Sequence, residues 1–329
     1  MRVLITGANG FVGGATVTAF LDAGIAVRAG VRNVTREWLD RWPKPAVARL
    51  LEPIEHGDIG AATDWSNALK DVDCVVHLAA RVHVMHDKAA EPLAEFRRIN
   101  VEGTLSLARQ ATACGVRRFV FVSSIKVNGE RTQPGRPFTP DDRAGPCDPY
   151  GVSKHEAEQG LRELERHADL EAVIVRPVLV YGPGVRANFR MMMRVLSLGV
   201  PLPLGGLDNR RSLLGVGNLA DLLLQCARAE AAAHQTFLAS DGEDLSTREL
   251  LRRLGALLGH PARLVNVPAS MLEGIAWLLR RGDLAQRICG TLQVDSSKAR
   301  ALLGWVPPFS VDQELRRTVE SFLGDGVIR

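Results

Sequence analysis

Tyr150-Gly151-Val152-Ser153-Lys154 sets a phenol and an ammonium four residues apart, and on a helix positions i and i+4 share a face. A cation beside a phenol favours the phenolate and brings its pKa from about 10 toward neutrality, which makes Tyr150 a usable general acid or base. That spacing recurs in many helices, so its context decides. Upstream, the apolar run Phe119-Val120-Phe121-Val122 leads into Ser123-Ser124. Near the start, Thr6-Gly7-Ala8-Asn9-Gly10-Phe11-Val12-Gly13 follows a strand and opens a helix. This is the chemistry of a phosphate cradle. Gly7 permits the tight turn, Gly10 lets the backbone approach a pyrophosphate, and Gly13 lets helix and strand pack closely, with Asn9, Phe11 and Val12 in the same turn. A dinucleotide site is expected here.

The end of the second strand tests which dinucleotide binds, because an acid there would hydrogen-bond the ribose hydroxyls of NAD. The chain reads Arg28-Ala29-Gly30-Val31-Arg32-Asn33, with no acid. Arg32, helped by Arg36, is suited to bidentate pairing with a 2′-phosphate, and small Gly30 leaves room. NADP is therefore expected and NAD is the alternative, in which Arg32 is a solvated loop residue. Asp58-Ile59, after a third strand, is placed at the adenine, and Leu78, Ala79 and Ala80 beside the cofactor ribose. His77 reads as a core histidine rather than a catalyst. His83 and His86, three apart beside Asp87, lack a third ligand, so no metal is expected.

These groups need a scaffold that brings them to one edge. Short apolar runs at Val3 to Ile5, Ala26 to Val31, Cys74 to Leu78, Phe119 to Val122 and Ala172 to Val175 have the length and branching of strands buried on both faces. Helical stretches at Phe11 to Ala23, Pro92 to Cys114 and Tyr150 to His167 alternate with them. The pattern predicts an α/β fold, a Rossmann-type doubly wound parallel sheet with a smaller C-terminal substrate lobe and a ligand crevice at the carboxyl ends of the strands. After Arg176-Pro177, glycine and proline become frequent. The expected dinucleotide domain spans residues 1–179, with 213–239 returning to it; residues 180–212 and 240–329 form the substrate lobe, and a helix is expected from Asn218 to Ala232.

Composition fits this reading. Of 329 residues 46% are hydrophobic and 24% charged, and a net charge of +4 is too small to argue a nucleic-acid surface. Five scattered cysteines, none in a CxxC pair, fit reduced thiols and a cytoplasmic setting. No stretch approaches the roughly 20 apolar residues of a membrane span, and the run Val3 to Ile5 is too short for a signal-peptide core.

The chain resembles the extended short-chain dehydrogenase/reductases of the NAD-dependent epimerase/dehydratase family, nucleotide-sugar branch. The resemblance runs from Thr6-Gly7 to Asp295-Ser296-Ser297-Lys298-Ala299-Arg300 and Leu303-Gly304-Trp305-Val306-Pro307. It implies that Ser124, five positions before Gly129, is the catalytic hydroxyl and that Ser123 is structural. Asn100, in Asn100-Val101-Glu102-Gly103-Thr104, either supports the site or bends its helix. Hydride would pass between nicotinamide and a sugar carbon while Tyr150 moves the proton on the attached oxygen. Lys154 would hold the nicotinamide ribose, and Pro177 would join the cofactor residues.

Departures from the family pattern narrow the reaction. Dehydratases of the family carry Asp-Glu after the catalytic hydroxyl, where this chain has Ile125 and Lys126; Ile125 cannot donate a proton. Lys126 is either a substrate contact or a solvated lysine. Typical hexose 4-epimerases have a substrate-contacting Asn where this chain has Leu179. Asn188 and Arg211 match positions that hold the substrate diphosphate, Arg211 otherwise being a surface salt-bridge residue, and Arg287 is a weaker match. The expected partners are a UDP-sugar and a second copy of the chain, paired through the 92–114 and 150–167 helices. With Arg32 suited to NADP, reduction of the C4 keto group of a UDP-4-keto-6-deoxy-(N-acetyl)hexosamine is the leading expectation. The alternatives are a UDP-glucose or UDP-N-acetylglucosamine 4-epimerase retaining NAD, a reductase of apolar substrates, and a non-catalytic NADP-sensing regulator.

Overall fold

Val3, Leu4 and Ile5 are all fully buried, and a strand alternates its side chains between faces, so the sheet they belong to is covered on both sides. The computed structural model describes residues 1–42, 49–82, 91–278 and 282–324. His83, His86 and Asp87 lie outside them. Seven parallel strands run in the order β3-β2-β1-β4-β5-β6-β9: β1 (Arg2–Thr6), β2 (Ala26–Val31), β3 (Leu51–Glu55), β4 (Cys74–His77), β5 (Arg118–Val122), β6 (Glu171–Pro177) and β9 (Thr236–Ala239). Strand order reverses direction between β1 and β4, which is where a doubly wound sheet opens its ligand crevice.

One face packs α1 (Phe11–Asp22) and α8 (Val216–Arg228) against the sheet, with Val17, Phe20, Leu219 and Leu223 in a shared core. The other carries α3 (Ser66–Leu69), α5 (Thr104–Ala113) and α6 (Pro149–His167) around Trp65, Leu107 and Leu161. Between β2 and β3 lies the short helix α2 (Arg36–Leu39). The helix expected from Pro92 to Cys114 is broken into α4 (Pro92–Phe96), a π-helical stretch Arg97–Gly103, and α5. Gly103 fits against Ile59 there; a Cβ on it would come within 2.5 Å of the Ile59 Cγ2.

Pro177 ends β6 because it has no N–H to continue the ladder. The chain then leaves the large sheet and builds a second one from β7 (Leu179–Tyr181), β8 (Arg211–Gly215) and β10 (Asp244–Leu245), in the order β10-β8-β7. Leu213, where the returning segment was expected to begin, is thus in the small sheet, while α8 and β9 belong to the large one. The expected helix ends at Arg228, and a separate 3₁₀ turn covers Glu230–Ala232. Around the small sheet lie α7 (Ala187–Ser197), α9 (Thr247–Leu257) and α13 (Val311–Gly324), which bury Tyr181, Phe189, Leu254 and Leu315 together. α10 (Ala269–Leu278), α11 (Gly282–Cys289) and α12 (Ser297–Leu303) complete the chain order.

A buried ion pair fixes α6 to the sheet. Arg176 of β6 donates from Nε to Glu158 Oε1 at 2.9 Å and from Nη1 to Asn128 Oδ1 at 2.9 Å, with Arg176 8% and Glu158 4% exposed. Breaking such a pair strands a buried charge. Arg176→Met is therefore expected to lower the unfolding free energy by about 3–5 kcal/mol in urea titration; a loss within error of zero would show that α6 is held without it.

Candidate active site

The crevice is built on the carboxyl ends of β1, β4 and β5. Gly7 has φ +70°, a left-handed conformation, and a Cβ on it would lie 2.9 Å from the Ala79 nitrogen. Only glycine lets the β1 turn and the β4 turn touch there. Thr6 Oγ1 accepts from both Leu78 N and Ala79 N at 3.2 Å, so Leu78 and Ala79 are presented beside the glycine turn. A Cβ on Gly13 would fall 2.0 Å from the Gly7 carbonyl oxygen. Helix α1 thus starts from its N-cap, Gly10, in direct contact with the turn, and a helix start leaves its first N–H groups without intrahelical partners. This shape fits a dinucleotide diphosphate.

At the end of β2, Arg32 Nε meets Asp58 Oδ1 at 2.9 Å, with both side chains largely exposed. The two residues assigned to the adenosine end are therefore brought together. Ile59 is buried against the π-helical stretch. His56, just after β3, faces Gly30 and lies 4.9 Å from the Trp65 ring; burial lowers its pKa. Nothing in its spacing marked it.

His77 is the core residue its setting suggested. It is fully buried, its Nδ1 pairs with Thr6 Oγ1 at 2.7 Å and its Nε2 with Thr104 Oγ1 at 3.0 Å. Burial, aided by the Lys154 charge, pushes it down to about 3, so it is neutral at pH 7.

Ser124 N-caps a 3₁₀ turn, Ile125–Val127, with its hydroxyl accepting from Lys126 N at 3.3 Å. The same hydroxyl lies within polar reach of the Tyr150 phenol and favours its ionised form. Lys154 sits one turn further along α6, 1% exposed, its Nζ donating to the Val122 carbonyl at 2.8 Å and lying 4.4 Å from the centre of the Phe121 ring. This corrects the expected electrostatics. Burial pushes Tyr150 up to about 12, with Asp148 adding to the rise and Ser124 opposing it. The ammonium expected to oppose that rise is turned to a β5 carbonyl instead. Lys154 itself is pushed down to about 7 by burial, partly offset by Glu158.

Asn100 is 1% exposed and lies inside the π-helical stretch. Its Oδ1 accepts from Arg81 N at 2.8 Å, and its Nδ2 donates to the Arg81 carbonyl and to Ser153 Oγ, each at 3.0 Å. Ser153 Oγ in turn donates to the Tyr150 carbonyl at 2.8 Å, which links Asn100 to the tyrosine's backbone. The Ser123 hydroxyl, 2% exposed, has no hydrogen-bond partner among the described residues. A buried orphan hydroxyl at the end of β5 is a group that a bound cofactor would satisfy.

The substrate-side residues are scattered. Lys126 neither waves in solvent nor stands open; its ammonium pairs with Asp148 and, at 3.0 Å, with Glu130. Arg211, partly buried at the start of β8, donates to the Gly290 carbonyl at 3.0 Å. Asn188 is exposed in the first turn of α7, Leu179 is half exposed in β7, and Arg287 lies in α11 with its side chain outside the described set. Pro177, buried, pairs with Ala239 at the edge of the crevice.

The profile of the NAD dependent epimerase/dehydratase family matches residues 3–238. The chain is 44% identical over 323 residues to a UDP-glucose 4-epimerase from Vibrio cholerae, covering 98% of this chain and 95% of that one. It is 27% identical over 333 residues to an N-acetyl-alpha-D-glucosaminyl-diphospho-ditrans,octacis-undecaprenol 4-epimerase from Escherichia coli O157:H7, over 97% and 94% of the two chains. Among solved structures it is similar to MoeE5 in complex with UDP-glucuronic acid and NAD, with a TM-score of 0.77 at 26% identity over 99% and 100% of the chains. It shares the fold of the UDP-glucuronic acid 4-epimerase from Bacillus cereus in complex with NAD, with a TM-score of 0.77 at 20% identity over 98% and 99%.

The glycine contacts make one outcome definite. Gly13→Ala must push α1 off the Gly7 carbonyl, and is expected to weaken dinucleotide binding at least about tenfold, or about 1.4 kcal/mol, in a calorimetric titration. Unchanged affinity would remove this turn from the cofactor site.

Proposed function

This chain belongs to the NAD dependent epimerase/dehydratase family, and we propose that it acts at C4 of a UDP-hexose as a 4-epimerase. The observation that carries the reading is the Ser124 hydroxyl facing the Tyr150 phenol, with Lys154 buried beneath it at the end of β5. The 44% identical relative from Vibrio cholerae supports the sugar and the reaction.

A bound nicotinamide would supply a reversible hydride acceptor for the sugar carbon. Gly7, Asn9, Gly10, Phe11, Val12 and Gly13 would cradle its diphosphate, and Asp58 and Ile59 would flank the adenine. Leu78, Ala79, Ala80 and Pro177 would line the ribose and nicotinamide. Tyr150 Oη would take the proton from the C4 hydroxyl and give it back, while Ser124 Oγ hydrogen-bonds the same oxygen. Lys154 would hold the nicotinamide ribose from below, with Asn100 fixing the helix turn through Ser153. Asn188, Arg211 and Arg287 would bind the substrate diphosphate.

A second reading rests on a separate observation: β2 ends without an acid and with Arg32, and Leu179 replaces the substrate-contacting Asn of typical hexose 4-epimerases. Both favour a reductase of a UDP-4-keto-6-deoxy-(N-acetyl)hexosamine using NADPH. Purified protein incubated with UDP-glucose or UDP-N-acetylglucosamine should interconvert the C4 epimers without added reductant. Stoichiometric loss of NADPH absorbance with the 4-keto-6-deoxy sugar, without epimer exchange, would replace the epimerase with the reductase. Under either reaction Tyr150→Phe should keep cofactor binding and lose turnover by about 10²-fold or more; near-normal turnover would reject Tyr150 as the proton carrier. Arg32→Ala is expected to weaken NADPH binding more than NADH binding, and equal effects in parallel titrations would take Arg32 out of the phosphate role.

A further inference from the structure

We propose that Lys126 is a positioning residue of this active site, the counter-ion that ties Asp148, the N-cap of the tyrosine-bearing helix, to the turn that carries Ser124. The inference rests on the reading of Tyr150 as the proton carrier.

The geometry is a clamp of two dipeptide steps closed by one ion pair. Asp148 precedes Tyr150 by two residues and caps α6, its Oδ1 accepting from Gly151 N at 2.7 Å. Its other oxygen, Oδ2, takes the Lys126 ammonium. Lys126 follows Ser124 by two residues in the 3₁₀ turn. Ser124 and Tyr150, which must reach the same substrate oxygen, are thus each two residues from one end of the Lys126–Asp148 pair. Backbone packing closes the same gap, since a Cβ on Gly151 would lie 2.9 Å from the Lys126 carbonyl oxygen. The turn and the first turn of α6 touch without a side chain between them.

The pair is sheltered, with the Lys126 side chain 25% and the Asp148 side chain 21% exposed, so water screens it less than a surface pair. Glu130 also pairs with Lys126, and Glu130 Oε2 accepts from Gln286 Nε2 of α11 at 3.3 Å, which extends the clamp to the lobe. The corner is faced by Asp148 and Lys154 from α6, by Lys126 and Glu130 from the turn and the residues after it, and by Phe96 of α4, whose ring meets Tyr150 edge-on at 6.1 Å. The Asp148 carboxylate disfavours the phenolate. Lys126 pairs with that carboxylate at Oδ2, so removing the lysine leaves the cap bond and restores the full negative charge two residues from the phenol.

The chain has two tyrosines, Tyr150 and Tyr181, which makes the test direct. In a Tyr181→Phe background, the near-ultraviolet phenolate absorbance reports Tyr150 without substrate. With oxidised cofactor bound, whose positively charged nicotinamide ring favours the phenolate, Lys126→Met should move the midpoint up by about 0.5–1 pH unit, a three- to tenfold fall in phenolate fraction at fixed pH. Asp148→Asn, which keeps a capping oxygen, should move it down, the double variant should return close to the parent, and Lys126→Arg should leave it in place. The pH profile of alcohol oxidation by the same variants with bound cofactor should shift in the same directions. An unmoved Tyr150 midpoint in Lys126→Met with an unmoved rate profile overturns the proposal, as does a shift that Asp148→Asn fails to reverse. Thermal melts separate these outcomes from loss of fold. A Tyr150→Phe variant that keeps turnover would instead fail the underlying reading while leaving the titration result intact.

Discussion

Everything at this site depends on keeping the Lys154 ammonium out of water. An isolated buried cation carries a penalty of several kcal/mol, so the protein must surround it with compensating groups. The Val122 carbonyl and the Phe121 ring supply two, both from β5. The third is Glu158, four residues along the same helix face, and its own buried charge is met by Arg176 of β6. Arg176 also reaches Asn128, at the end of the turn that begins with Ser124. A chain of contacts therefore runs from Lys154 through one helix, two strands and a loop. Neutral His77 belongs to the same arrangement. Held between Thr6 and Thr104, it adds no second cation beside Lys154.

The scaffold was legible because its signals are local. Apolar runs of three to six residues, glycines at fixed offsets and Pro177 as a stop each act within a few residues of themselves, so strand identity and the glycine turn can be read directly. What escaped depends on contacts across the fold. The pairing of Lys126 with Asp148 spans 22 positions and links two loops whose approach no periodicity predicts. The π-helical stretch is similarly hidden: within it Asn100 bonds both backbone groups of Arg81 and Gly103 packs on Ile59, and neither partner is near in sequence. That the buried Ser123 hydroxyl has no partner among the described residues is likewise set by packing at the end of β5 and marked by no motif.

The tyrosine illustrates how spacing can be right and the inferred energetics wrong. Tyr150 and Lys154 do share a face of α6, as i and i+4 must. The field at the phenol, however, is set by what the helix packs against. Desolvation raises the phenol, the cap aspartate raises it further, and the lysine is engaged below, so the ordering of effects is burial first and charge second. A short sequence motif reports which groups are near one another. It does not report the dielectric they share.

The Arg32–Asp58 pair shows why the absence of an acid at the end of β2 is a weaker guide to cofactor choice than it looks from sequence. Its side chains are 67% and 77% exposed, so the pair contributes about 0–1 kcal/mol. A 2′-phosphate offers Arg32 a charge-assisted, bidentate partner that is roughly twice as strong as a neutral hydrogen bond. Exchanging the first partner for the second is therefore favourable but small, because Asp58 must then tolerate a nearby phosphate or turn away from it. With NAD, Arg32 would keep Asp58 as its partner. Any preference arising from Arg32 would therefore be a difference between two arginine ion pairs, its size governed by Asp58 as much as by Arg32.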